Sequence, residues 1–215
     1  MATLSKKKPN TLFIAQFAIL LALEAIVCYT PLGSIPIGPL VATLAMLPVI
    51  VAGILLGTGA GAAMGFAAGL FSFIVWTFMP PNPVTAFVFT PTAAPGNFWS
   101  LVICFVPRIL TGVVASLMFK LLSRLLDGKK GATGVIYAVS GVLGSLTNTL
   151  LVMGGIYVFF GKSYATAMDI SFNLLLGIIG TTILTNGVLE AIVGGLVACG
   201  VCIPMKKMMR RTLPL

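Results

Sequence analysis

The sequence predicts an all-α integral membrane protein, a single membrane domain over residues 1–215 with six transmembrane helices and both termini cytoplasmic. Three observations lead there. Apolar residues make up 59% of the chain and charged residues 8%, with a mean hydropathy of +1.13. A water-facing surface needs far more charge, roughly 25% in ordinary domains. The apolar residues also gather into stretches close to the ~20 residues that cross a bilayer as helix. Finally, eleven of the 13 Lys and Arg fall on one side of the membrane if there are six spans, and an odd number would scatter them.

The expected spans are 11–29, 39–57, 60–79, 98–126, 132–160 and 171–203. Lys6, Lys7 and Lys8 precede the first. No small-x-small cleavage site follows it and apolar segments continue to the carboxyl end, so it reads as a span and not as a signal peptide. The second contains Pro48, which should kink it. Along the third, Gly57, Gly61, Gly65 and Gly69 recur every four residues, a stripe that lets a neighbouring backbone come close. The sixth carries Gly180, Gly187 and Gly194 at heptad spacing, and it exceeds what a ~30 Å core requires, so it tilts or starts outside. Lys120, Arg124, Lys129 and Lys130 follow the fourth span, and Lys206, Lys207, Arg210 and Arg211 follow the last. The positive-inside rule then puts both termini in the cytoplasm, with the basic rows against anionic membrane lipid. On the outer side, the 80–97 loop holds five of the chain's 13 prolines and no charge. Such a loop is pre-shaped; it suits a lid over a pocket or a segment lying on the membrane surface.

Several chemistries are excluded. With no His, there is no His metal site, general base or proton relay. Gly155 to Gly161-Lys162-Ser163 misses the phosphate-loop spacing and leaves an apolar helix, so ATP hydrolysis is not expected. Gly57-x-Gly-x-Gly61 follows no strand and is no nucleotide fingerprint. Cys199-Gly-Val-Cys202 lies inside an apolar run without a second pair, and Cys28 and Cys104 are likewise apolar neighbours, which argues against metal or disulfide. Asp127 and Asp169 fall in loops, too far from the bilayer interior for a membrane protease pair. No basic face with interleaved aromatics exists for nucleic acid. No cofactor or metal is called for.

The candidate chemistry lies in the few intramembrane polar groups. A charge at the bilayer centre costs about 2.5–3.5 kcal/mol, so each needs a reason. Arg108 sits about 15 Å into span four from the outside, counting 1.5 Å per residue. It pairs with Glu24 or Glu190 and holds the bundle, or its fork meets a substrate carboxylate in an outward-facing cavity. Asn148, with Thr147 beside it, offers donors and an acceptor to a ligand amide or hydroxyl, or to a neighbouring helix. Tyr157, Asn173, and the loop residues Phe89, Asn97 and Trp99 complete the polar and aromatic set on the outer half.

These residues resemble a known family: the substrate-binding S-components of energy-coupling-factor (ECF) vitamin transporters. Ala18-x-x-x-Ala22 in span one, Leu47-Pro48-Val49-Ile50-Val51-Ala52-Gly53-Ile54-Leu55-Leu56-Gly57, and Val106-Pro107-Arg108-Ile109-Leu110-Thr111-Gly112 are similar to that family's helices. Pro91 after Phe87-Val88-Phe89, with Gly144-Ser145-Leu146-Thr147-Asn148-Thr149, looks most like its pantothenate-specific branch. The resemblance implies a protein of the prokaryotic plasma membrane that captures a vitamin from outside. It then docks on a membrane coupling protein carrying two ATPase subunits. Arg108 would take the vitamin's carboxylate, Asn148 its amide or a hydroxyl, and Trp76, Phe89 and Trp99 its aliphatic body. Ala15, Ala18, Ala22 and Ala25 would form the docking face. Another vitamin, such as folate or cobalamin, stands as the alternative ligand, and a self-contained proton-coupled carrier as the alternative class. A purely structural membrane protein is the remaining reading.

Overall fold

A computed structural model of the chain describes residues 11–30, 35–37, 40–42, 44–126 and 131–212. Five helices among these residues are long and apolar enough to cross a membrane. They are α1 (Thr11–Tyr29), α3 (Thr58–Phe78), α4 (Phe98–Leu125), α5 (Ala132–Ala167) and a long last helix, Phe172–Met208. The last is built from α6 (Phe172–Thr182), a wide π-helical turn (Ile183–Gly187), α7 (Val188–Val197), a second π-helical turn (Ala198–Cys202) and α8 (Ile203–Thr212). Lys6, Lys7, Lys8, Lys129 and Lys130 lie outside the described residues.

The expected second span is the main departure. A helical stretch begins only at Leu44, with a 3-10 turn leading into α2 (Leu47–Leu56). At 1.5 Å per residue it is about 20 Å long, short of a full crossing. Ahead of it, β1 (Ile35–Ile37) and β2 (Leu40–Ala42) pair antiparallel, Ile37 opposite Leu40. Pro48 does not kink this helix. It stands in the first turn, where a missing N–H costs nothing. α5 runs on to Ala167 instead of ending at 160, with Lys162 exposed on its surface.

The glycine stripe fixes how α3 sits. Gly57 takes φ 100° between α2 and α3, a conformation glycine adopts freely. A methyl on Gly61 would meet the backbone of Gly112, and one on Gly65 the backbone of Arg108. These two stretches of α3 and α4 therefore touch backbone to backbone, as small-residue seams allow. Gly194 makes a similar approach to Gly141 and Ser145 of α5, whereas Gly180 faces open space.

The two ends of the bundle differ in chemistry. Lys120 near the end of α4 donates to Thr58 at the start of α3 at 2.7 Å, and Lys206 lies 4.5 Å from the centroid of the Phe119 ring. These cations share one end. At the other, the 79–97 connection folds inward, burying Thr85, Ala86, Phe87 and Val88 in a 3-10 turn (Pro83–Val88). Ser100 donates to the Phe87 carbonyl at 2.6 Å, and Thr77, Thr90 and Thr92 form a hydroxyl chain at 2.9 and 2.8 Å. The loop is thus tied to α3 and α4 at several points.

Candidate functional site

Beneath this loop lies a cavity of about 170 Å³ of room for water centres. One water needs about 10–15 Å³ by that measure, so the space suits a small organic molecule. Its walls come from α3, the 79–97 loop, α4, α5 and the last helix, with Cys28 of α1 and Met46 at the edge of α2.

Arg108 is on the cavity wall and 5% exposed. The preceding residue explains its pose. Pro107 sits inside α4 and has no N–H, so the Ile103 carbonyl four residues back has no helical donor. Arg108 Nη1 donates to that same oxygen at 2.6 Å. Nη2 makes a long 3.5 Å bond to Ser72 of α3, and Nε has no hydrogen-bond partner. The guanidinium also lies over Phe89, 5.1 Å from its centroid, and Phe89 packs on Trp76 at 4.6 Å. Glu24 is fully buried on α1, with Oε1 accepting from the Cys28 thiol at 3.2 Å. Glu190 Oε2 accepts from Thr149 at 2.8 Å.

Asn148 is 5% exposed on the α5 wall, and its Oδ1 has no partner. Across from it, Asn186 in the first π turn is 4% exposed, and its Nδ2 likewise has none. Buried polar atoms are ordinarily paired, and each exception asks for an explanation. Here Arg108, Asn148 and Asn186 all line one cavity. The arrangement can receive an anion at α4 and hydrogen-bonding groups at α5 and the last helix.

Of the residues singled out from sequence, Arg108, Asn148, Trp76 and Phe89 line this cavity. The others do other work. Asn97 caps α4, its Oδ1 accepting from the Trp99 N–H at 2.9 Å while Ser100 completes the capping box. Trp99 is 45% exposed and stacks on Phe159 with centroids 4.1 Å apart. Thr147 donates back to the Leu143 carbonyl of its own helix at 2.7 Å. Tyr157 stacks on Phe172 at 5.9 Å, and Asn173 is exposed. Sequence reasoning did not select Ser72, Thr149, Thr182, Asn186 or Glu190 as site residues, yet all line the cavity. Their signal was present: Thr182, Asn186 and Glu190 recur every four residues along one face of the last helix. On α1, Ala15, Ala18 and Ala22 are exposed and Ala25 is half-buried.

Comparison with known proteins agrees with this architecture. The family model described as "ECF transporter, substrate-specific component" matches residues 12–202. A relative in Lactococcus lactis subsp. cremoris (strain MG1363), the pantothenic acid transporter PanT, is 32% identical over 202 residues, covering 86% of this chain and 96% of that one. With several apolar helices long enough to cross a bilayer and a match over most of its length, this multi-pass membrane protein belongs to the family of ECF transporter substrate-specific components.

Proposed function

We propose that this chain captures pantothenate at the outer face of a prokaryotic plasma membrane and delivers it to an ATP-driven coupling module, without ATPase activity of its own. The observation that carries the reading is the set of partnerless buried polar atoms around one cavity, a guanidinium Nε and an amide oxygen foremost. Pantothenate has a carboxylate at one end, an amide in the middle and hydroxyls at the other end. Arg108 takes the carboxylate, Asn148 Oδ1 accepts from the amide N–H, and Trp76 and Phe89 pack on the aliphatic body. The similarity to a pantothenic acid transporter supports the same vitamin.

In this reading the chain crosses the membrane six times, the hairpin and the Leu44–Leu56 helix together making the second pass. Both termini face the cytoplasm. The support is the shared end of Lys120 and Lys206, with the cavity under the loop at the opposite end. The coupling protein docks on α1, where Ala15, Ala18 and Ala22 are exposed among large apolar side chains such as Ile19 and Leu23.

Calorimetric titration of the purified chain with pantothenate tests the capture step, and saturable one-to-one binding is expected. Vesicles containing this chain alone should not accumulate the vitamin, whereas vesicles that also hold the coupling protein and its ATPases should do so with ATP. Accumulation by the chain alone, driven by a pH gradient, would overturn the proposal in favour of a self-contained carrier.

A further inference from the structure

The wall made by the last helix has its own chemistry. Thr182, Asn186 and Glu190 all face the cavity across the Ile183–Gly187 turn. A π-helical turn is wider than an α-turn, which brings residues four apart closer to one line. The Thr185 hydroxyl donates to the Thr181 carbonyl at 2.8 Å and lies 3.4 Å from Asn186 Oδ1, while Asn186 Nδ2 is a buried donor with no hydrogen-bond partner. Thr149 donates to Glu190 Oε2 at 2.8 Å and so fixes that carboxylate at the same wall. α5 packs on both α4 and α7, so Asn148 lies between the Arg108 wall and this one.

We infer that Asn186 and Glu190 form a hydroxyl-reading subsite that excludes ligands phosphorylated on that hydroxyl. The inference rests on the pantothenate reading of the same cavity and names what recognises the ligand's hydroxyl end. A hydroxyl both donates and accepts. It can accept from Asn186 Nδ2 while donating to the Glu190 carboxylate. A carboxylate only accepts, so the ligand group beside it must carry a hydrogen. A phosphoryl group at that place brings about −1.5 to −2 charges, and burial leaves the repulsion from Glu190 poorly screened.

The test is calorimetric titration of the full-length protein with three probes. These are pantothenate, an analogue with hydrogens in place of its hydroxyls, and pantothenate phosphorylated on its terminal hydroxyl. The unmodified protein should bind the dehydroxylated analogue at least about tenfold more weakly, because a site built for a hydroxyl is left with unpaired groups. In Asn186→Leu that discrimination should shrink to about twofold or less, with affinity for the dehydroxylated analogue retained, which also reports that the variant is folded. In the near-isosteric Glu190→Gln, affinity for the phosphorylated probe should rise about tenfold or more. Pantothenate binding with no preference over the dehydroxylated analogue would overturn this inference alone, as would unchanged selectivity in both variants. No binding of pantothenate at all would overturn the parent reading together with it.

Discussion

Replacing Arg108 with Met separates a ligand clamp from a structural pin, because the two roles move different observables. Methionine keeps much of the volume and is tolerant of irregular space. Two terms oppose each other in the empty protein. Removing a charge from the bilayer interior returns about 2.5–3.5 kcal/mol. Leaving the Ile103 carbonyl without its donor costs about 1–3 kcal/mol. The long bond to Ser72 adds little, so stability should stay level or rise by up to about 2 kcal/mol. Binding should behave otherwise. Nη1 is held by Ile103 and Nη2 makes only the long bond to Ser72, so the edge formed by Nε and Nη2 suits a bidentate carboxylate. Charge-assisted bonds are worth about 1.5–3 kcal/mol each, so losing the pair should weaken pantothenate by about a hundredfold or more. The assay is titration alongside thermal unfolding in the same detergent. A variant that melts several degrees lower yet binds the vitamin as before would refute the clamp and leave Arg108 as a pin.

Three further outcomes follow from other parts of the molecule. Gly65→Ala puts a methyl against the backbone of Arg108, and overpacking of this kind costs about 1–3 kcal/mol, so thermal unfolding should shift down and ligand affinity fall with it. Ala18→Trp should leave pantothenate titration unchanged but stop ATP-driven uptake in vesicles holding the coupling module; persistent uptake would move the docking face elsewhere. The chain has two tryptophans, Trp76 in the cavity wall and Trp99 outside it. A ligand-dependent change in tryptophan fluorescence should therefore survive Trp99→Phe and vanish in Trp76→Phe.

How much of this was readable in the chain varies by element and for physical reasons. Long apolar runs fix α1, α3 and α4 closely, since hydropathy and length are enough for a spanning helix. They mislead over 39–57, where an apolar hairpin strand adjoins a short helix, and periodicity cannot separate strand from helix in so short a run. Arg108 stands out because a charge in lipid is rare. Thr147 and Thr149 show the limit. They are two residues apart, so a helix turns them to different sides, and only Thr149 lines the cavity with Asn148. Composition could not say which. Asn97 was readable as a cap, because Asn-x-x-Ser ahead of an apolar helix is a start signal, and the capping role is the one it fills.

The glycine stripe and the arginine, which look like separate features in sequence, are parts of one device. Gly65 and Gly69 bring α3 down onto α4 beside Arg108 and Cys104. Ser72 follows on the same face of α3, seven residues beyond Gly65, and that close approach is what lets its hydroxyl reach the guanidinium. On α4, Pro107 frees the Ile103 carbonyl that holds Nη1. The seam sets the distance and the proline sets the direction. Without the seam, Ser72 would stand too far off; without the proline, Ile103 would be engaged by the helix itself. Neither contact neutralises the charge, and together they leave Nε buried with no hydrogen-bond partner at the cavity wall. Neutral groups thus fix the pose of a guanidinium whose fork is matched to an incoming carboxylate.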